Sequence, residues 1–184
     1  MSLPNVNIVL GNGNIGTVTL SDDGISGLIL TGQAVEEKLT LNKVYVLSSS
    51  NDLSKYGITK ENNPLVYKDV AAFYKAAGDG AELHLLVVSE ASTLTQICSS
   101  EPGSPLQKLI DSAAGRIRLV GVNRNAPASY TPTVENCIDK DVITAVDEAQ
   151  AVAKSYMGKI APLLSFFRRL VGVVKQKDCI NAGR

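Results

Sequence analysis

The residues best spaced for chemistry come early in the chain. Gly11-Asn12-Gly13-Asn14-Ile15-Gly16 fits the GxGxxG pattern that cradles a dinucleotide pyrophosphate. Val6–Leu10 before it reads as a strand, and Glu36 follows at the separation of a ribose-binding acid. The chemistry also needs a helix to open inside the motif, because the pyrophosphate sits on a helix N-terminus. Here Thr17-Val18-Thr19-Leu20 is rich in β-branched residues and Ser21-Asp22-Asp23-Gly24 is a turn. The glycines are therefore expected to supply the positive φ of a hairpin, and no nucleotide cofactor is expected.

His84 is the only histidine. It lies in Glu82-Leu83-His84-Leu85, where strand alternation puts Glu82 on its own face. That pair could be a general base with its orienting carboxylate, but the favoured reading is an edge-of-core histidine held by an acid. A metal site lacks its second histidine, and no GxSxG nucleophile motif occurs. Asp22-Asp23 and Glu36-Glu37 are sequential acids near turns, whose side chains diverge on a strand. Asp139-Lys140-Asp141 suits the start of a helix, where negative charge is favourable. Cys98, Cys137 and Cys179 are widely spaced, odd in number and without a CxxC pair, as expected of reduced thiols in the cytosol. No catalytic, cofactor-binding or metal-ligating residue is assigned, and the chain is not expected to be a conventional enzyme.

Composition agrees with a globular domain. The chain has 184 residues, 45% of them hydrophobic and 20% charged. Its 18 basic and 18 acidic residues cancel, so no overall field draws it to nucleic acid or an anionic membrane. Near-zero charge also leaves little repulsion between copies. The N-terminus lacks the pattern of a signal peptide. The apolar stretch Ile160–Val174 is interrupted by Pro162, Arg168 and Arg169, too short and too charged to span a bilayer. Arg168, Arg169, Lys175 and Lys177 make a basic C-terminal end without interleaved aromatics to stack bases, so it reads as a solvated or docking face.

The elements that must position these residues follow from periodicity. Val6–Leu10, Ile15–Leu20 and Ile25–Leu30 read as strands joined by glycine turns, a β-rich N-terminal arm over residues 1–40. An α/β core is expected over residues 41–162 and a basic segment over 163–184. Val44–Leu47, Leu83–Val88 and Ile117–Val122 are apolar runs with little alternation, as in strands covered on both faces. A short helix is expected over Asn51–Tyr56. Asn63-Pro64 and Gly78 bracket a longer one, with Val66, Val70, Phe73 and Ala77 on its inner face. A weaker helix over Ser92–Cys98 and one opened by Ser104 with Gln107 as capping box follow. After a loop over Asn123–Asn136, a helix closed by Gly158 carries Val142, Val146, Ala149 and Ala153 as its stripe. The fold expected is three-layered α/β, a mainly parallel sheet flanked by helices.

Asn42–Leu47, Gly57-Ile58-Thr59 and above all Val70–Leu83, continuing through His84-Leu85-Leu86-Val87-Val88, resemble the tail sheath proteins of contractile phages and related injection systems. The opening Leu3–Ile8 with its Gly-Asn-Gly turn, Arg118–Val122 and Ala149-Gln150-Ala151 extend the likeness over roughly residues 3–162. The resemblance implies a non-catalytic structural subunit that stacks in rings around an inner tube and shortens on triggering. It implies copies of itself as partners, with the tail tube protein or other tail components beside them, and neither nucleic acid nor membrane. It places the protein in the cytoplasm during assembly, then in a virion or a phage-tail-like particle of phage or prophage origin. Terminal arms of that family add strands to neighbours, a role open to residues 3–30. Sheath proteins are usually longer, with a further domain and a C-terminal arm. The alternative reading is a small-molecule-binding or catalytic α/β domain, using strand ends near Ser48–Asn51 and Ser89–Ser92.

Overall fold

The fold rests on a sheet whose middle strand begins at Ser26. The computed structural model describes residues 25–135, 138–157 and 164–166, with backbone alone at 157 and at 164–166. The expected strands Val6–Leu10 and Ile15–Leu20, the glycine motif, Asp22-Asp23, Cys137, Gly158, Cys179 and the basic end lie outside these residues.

The elements in chain order are β1 (Ser26–Gly32), β2 (Val44–Leu47), α1 (Asp52–Lys55), α2 (Pro64–Ala77), β3 (Leu83–Ser89), α3 (Leu94–Cys98), α4 (Pro105–Ser112), β4 (Leu119–Asn123), β5 (Val134–Glu135), β6 (Ile138–Asp139), α5 (Lys140–Met157) and β7 (Leu164–Phe166). Five strands form one sheet in the order β2-β3-β1-β4-β7, and β5 pairs with β6 in a small hairpin. β1 runs parallel to β3 from Ser26↔Leu83 to Gly32↔Ser89, and parallel to β4 from Ser26↔Leu119 to Leu30↔Asn123. β7 extends the parallel set beside β4.

Two expectations are corrected. Ile25–Leu30 does not belong to an arm: it is the centre of the core sheet, hydrogen-bonded on both sides. Both edges of β1 are taken, and Ile29 and Leu30 are fully buried on opposite faces. Val44–Leu47 is not a parallel strand covered on both faces. It is the edge of the sheet among the described residues, antiparallel to β3, with Val46 53% exposed.

Helices cover both faces. Tyr45, Leu47, Leu53, Val66, Val70 and Tyr74 close one core over Leu30, Leu83, Leu85 and Val87. α3, α4 and α5 close the other over Ile25, Ile29, Leu86, Val88, Val120 and Val122. The period of two along β3 therefore splits one continuous apolar run between two cores, which is why the run shows no alternation in sequence. Gly27 lets α4 approach: a Cβ there would meet Leu109 Cδ2 at 2.7 Å.

α2 spans the residues that Pro64 and Gly78 predict, and Gly78 turns the chain at φ 82 with its N–H on Tyr74 O. Its inner stripe differs from expectation. Val66, Val70 and Tyr74 are buried, Phe73 is half-buried and Ala77 is exposed. An i, i+4, i+8 row faces the sheet, and Phe73 sits at its margin, edge-on to Tyr74. The α5 stripe likewise shifts to Val142, Ala145, Ala149 and Val152. The expected loop over Asn123–Asn136 contains β5.

Candidate functional site

His84 is the side chain around which catalytic geometry comes closest to forming. It is 3% exposed on the α4 side of β3. Its Nε2 lies 2.9 Å from Glu82 Oε1 and its Nδ1 lies 2.8 Å from Ser112 Oγ. Glu82 was legible from strand alternation, whereas Ser112, the last residue of α4, was not, because only the tertiary fold brings it here. A serine, an imidazole and a carboxylate in line are the parts of a nucleophilic relay.

Ser112 Oγ also donates to Leu109 O at 2.6 Å, a bond within its own helix. Which of Nδ1 and Oγ is the donor in the bond between ring and serine depends on the ring's tautomer. The backbone N–H groups that follow are committed as well: Ala113 and Gly115 bond Ile110 O, Ala114 bonds Asp111 O and Arg116 bonds Ala113 O. None of these four is left to stabilise an oxyanion. The arrangement ties the C-terminal end of α4 to the start of β3 through a buried ring.

A second polar group gathers at the opposite end of the sheet, beyond the C-terminal ends of β1, β3 and β4. Arg124 is 5% exposed. Its Nε donates to Ser92 O at 2.8 Å, its Nη1 stands 3.4 Å from Asp141 Oδ2, and its guanidinium carbon lies 4.3 Å from the centre of the Tyr130 ring. The Tyr130 hydroxyl donates to Asp139. Asp141 accepts from Leu94 N at 2.8 Å, Thr95 N at 3.0 Å and Thr95 Oγ1 at 2.8 Å. Asp139 caps α5 through Asp141 N, as the sequence suggests, but Asp141 caps α3 rather than its own helix. Burial, followed by the bond to Asp139, holds the Tyr130 hydroxyl above its ordinary pKa. Around this group Thr31 Oγ1 accepts from Asn125 N at 2.7 Å, and Asn123 donates to Asp69 of α2.

The two stretches expected to line a small-molecule site do not meet. Ser89–Ser92 stands at the C-terminal end of β3, but β2 is antiparallel, so Ser48–Asn51 lies at the other end, near Leu83. There Ser48 and Ser49 wrap Asp52, whose Oδ2 accepts both backbone N–H groups at 2.8 and 3.0 Å and Ser48 Oγ at 3.0 Å. Lys55 Nζ lies 2.6 Å from Asp52 Oδ1. The Lys55 ammonium first, then the Ser48 amide, hold the Asp52 carboxyl far below the usual range against the opposing effect of burial.

Most of the chain, residues 3–171, matches the family model described as DUF2586, N-terminal domain. The chain belongs to that family. No curated protein and no solved structure matches it.

The family match takes in the whole described sheet with both polar clusters. Among the remaining sequence candidates, Glu36 and Glu37 stand exposed in the tight Val35–Leu39 turn after β1, and Glu37 adopts φ 59. Cys98 is a free thiol buried against α5, pushed up to about 12 by burial and then by Asp141 and Glu148. Such a thiol is a packing residue with little thiolate at neutral pH. Among the described residues no helix is long and apolar enough to cross a membrane. No three His, Cys, Asp or Glu side chains of that set are placed to share a metal ion.

Proposed function

We propose that this chain is a structural subunit that works by self-assembly, in the manner of the contractile-tail sheath proteins that Val70–Val88 resembles. The observation that carries the reading is the open side of β2. Val44-Tyr45-Val46-Leu47 ends the sheet among the described residues, and Val46 stands 53% exposed on it. The strand contains none of the charges, prolines or bulges with which single molecules blunt a free edge. An edge of this kind is a template for a strand from another copy. Val6–Leu20, which contains no charged residue, is the segment of this chain best suited to add one.

The polar clusters favour the same reading. His84, Ser112, Arg124, Asp141 and Asp52 hold helices to strands through bonds within the subunit. In the sheath reading the partners are further copies and a tube protein. The small-molecule alternative is weakened, since the two stretches it uses lie at opposite ends of the sheet's strands.

Sedimentation velocity across a concentration series, with negative-stain microscopy of the concentrated sample, tests the proposal. The expected result is mass rising with concentration and rings or tubes in the images. A chain lacking residues 1–20 is expected to keep its circular dichroism and to associate less. A monomer at every concentration, with no ordered particles, would overturn the assignment.

A further inference from the structure

α3 owes its place in the molecule to α5. Its five residues, Leu94–Cys98, make little more than one turn, far below the length at which a helix holds itself in water. Its first N–H groups are all met, but mostly from elsewhere. Gln96 N bonds the Thr93 hydroxyl, whereas Leu94 N and Thr95 N bond the Asp141 carboxylate at 2.8 and 3.0 Å. Just past its end, Ser100 N bonds Glu148 Oε2 at 2.8 Å. Asp141 and Glu148 are both on α5, about two turns apart and therefore on one side of it. Each end of α3 is thus fastened by a carboxylate of the same neighbouring helix.

The rest of its packing is separable from the sheet. α3 lies chiefly on α5 and less on α4, while β1, β3 and β4 are joined by their own ladders and covered by α4. Its buried residues are Leu94, Ile97 and Cys98. One further side chain reaches each flank: Arg124 Nε bonds Ser92 O and Gln107 Nε2 bonds Ser100 O. The chain has a pivot on either side, a turn closed by Ser92 N on Ser89 O before α3 and Gly103 at φ 80 after it. We propose that α3 is a strap that opens from α5 as a unit while the sheet stays folded, with Asp141 and Glu148 as its clasps and Cys98 as the group it uncovers. Such openings of part of a fold require less free energy than global unfolding. Closed, the strap keeps the thiol buried and inert; open, it hands an ordinary thiol to solvent, where an alkylating or oxidising reagent can reach it. The inference stands independently of the assembly reading.

The test uses the full chain, treated with N-ethylmaleimide under native conditions and read by mass spectrometry of its tryptic peptides. Cys137 and Cys179 fall in other peptides than Cys98, so the three thiols are followed separately. Cys98 is expected to label without denaturant, at a rate that hardly changes in low urea, because a local opening exposes little surface. Glu148→Ala removes one clasp from a partly exposed position and is expected to speed that labelling about 10-fold, the effect of one charge-assisted hydrogen bond. Tyr74→Ala weakens the core on the other face of the sheet and is expected to leave the Cys98 rate unchanged. Labelling of Cys98 only at urea concentrations that unfold the chain would overturn the strap. So would an unchanged rate in Glu148→Ala, or a rate that rises in Tyr74→Ala along with its loss of global stability.

Discussion

At the residue scale, Asp52 and His84 each tie parts of the subunit together, and both are open to direct test. Asp52 collects two amides, a hydroxyl and the Lys55 ammonium, which is why its folded-state pKa is depressed. A depressed carboxylate contributes stability above its unfolded pKa, about 3.9, and loses that contribution as pH falls toward the folded value. The melting temperature of wild type is therefore expected to exceed that of Asp52→Asn at pH 7, with the gap closing below about pH 4. A gap independent of pH would mean that the charge of Asp52 does not matter. His84→Ala removes the ring that bonds Ser112 and Glu82 in a 3% exposed position. Denaturant unfolding is expected to show a loss of roughly 2 kcal/mol. Assembly by the folded fraction is expected to stay unchanged. Wild-type stability in His84→Ala would show that the ring is not a fastener.

At the element scale, α2 shows how a sequence pattern and a packed face can differ. Val66, Val70, Phe73 and Ala77 are a sound helical stripe in sequence, but the row that meets the sheet is Val66, Val70 and Tyr74. Tyr74 is 5% exposed, donates to Ala81 O at 3.3 Å and supports the turn into β3. Tyr74→Ala is expected to cost about 3 kcal/mol or more, and Phe73→Ala clearly less because that ring is only partly buried at the margin of the core. Paired denaturant melts decide the order, and the reverse ranking would mean α2 is rotated from the face described. Asn63 teaches a related lesson. Sequence marks it as the cap of α2, yet its side chain makes no cap bond. It clasps Gln33 instead, accepting from Gln33 N at 2.8 Å and donating to Gln33 O at 3.1 Å, as a neighbouring strand would. Gly32 has to be glycine beside it, since a Cβ there would stand 2.6 Å from Asn63 Oδ1.

At the scale of the whole molecule, the proposed assembly rests on β2, the edge of the sheet among the described residues. Val46→Lys places a charge on the open strand without touching the buried Tyr45 and Leu47 beside it. Edge lysines are a common means of preventing strand addition. The variant is expected to melt like wild type, since Val46 is already exposed, and to associate at least several-fold more weakly in sedimentation. Equal association by both proteins would remove β2 from the assembly interface.

The sequence by itself determined the class of fold and most of the elements. Alternating apolar runs and capped amphipathic helices are local signals, so Pro64, Gly78, Ser104 and the run at Leu83 could be read without neighbours. It also put Glu82 beside His84, because two residues along a strand share a face. Only the tertiary structure decided the rest. Strand partners are non-local, so Ile25–Leu30 could be taken for an arm when it is the middle of the sheet, and β2 for a parallel strand when it is the antiparallel edge. Ser112 reaches His84 across 28 residues and Asp141 reaches Leu94 across 47, separations that no local pattern encodes. Periodicity fixes which residues of a helix share a side, but the angle at which that side meets a sheet is set by packing, which is how Tyr74 displaced Ala77.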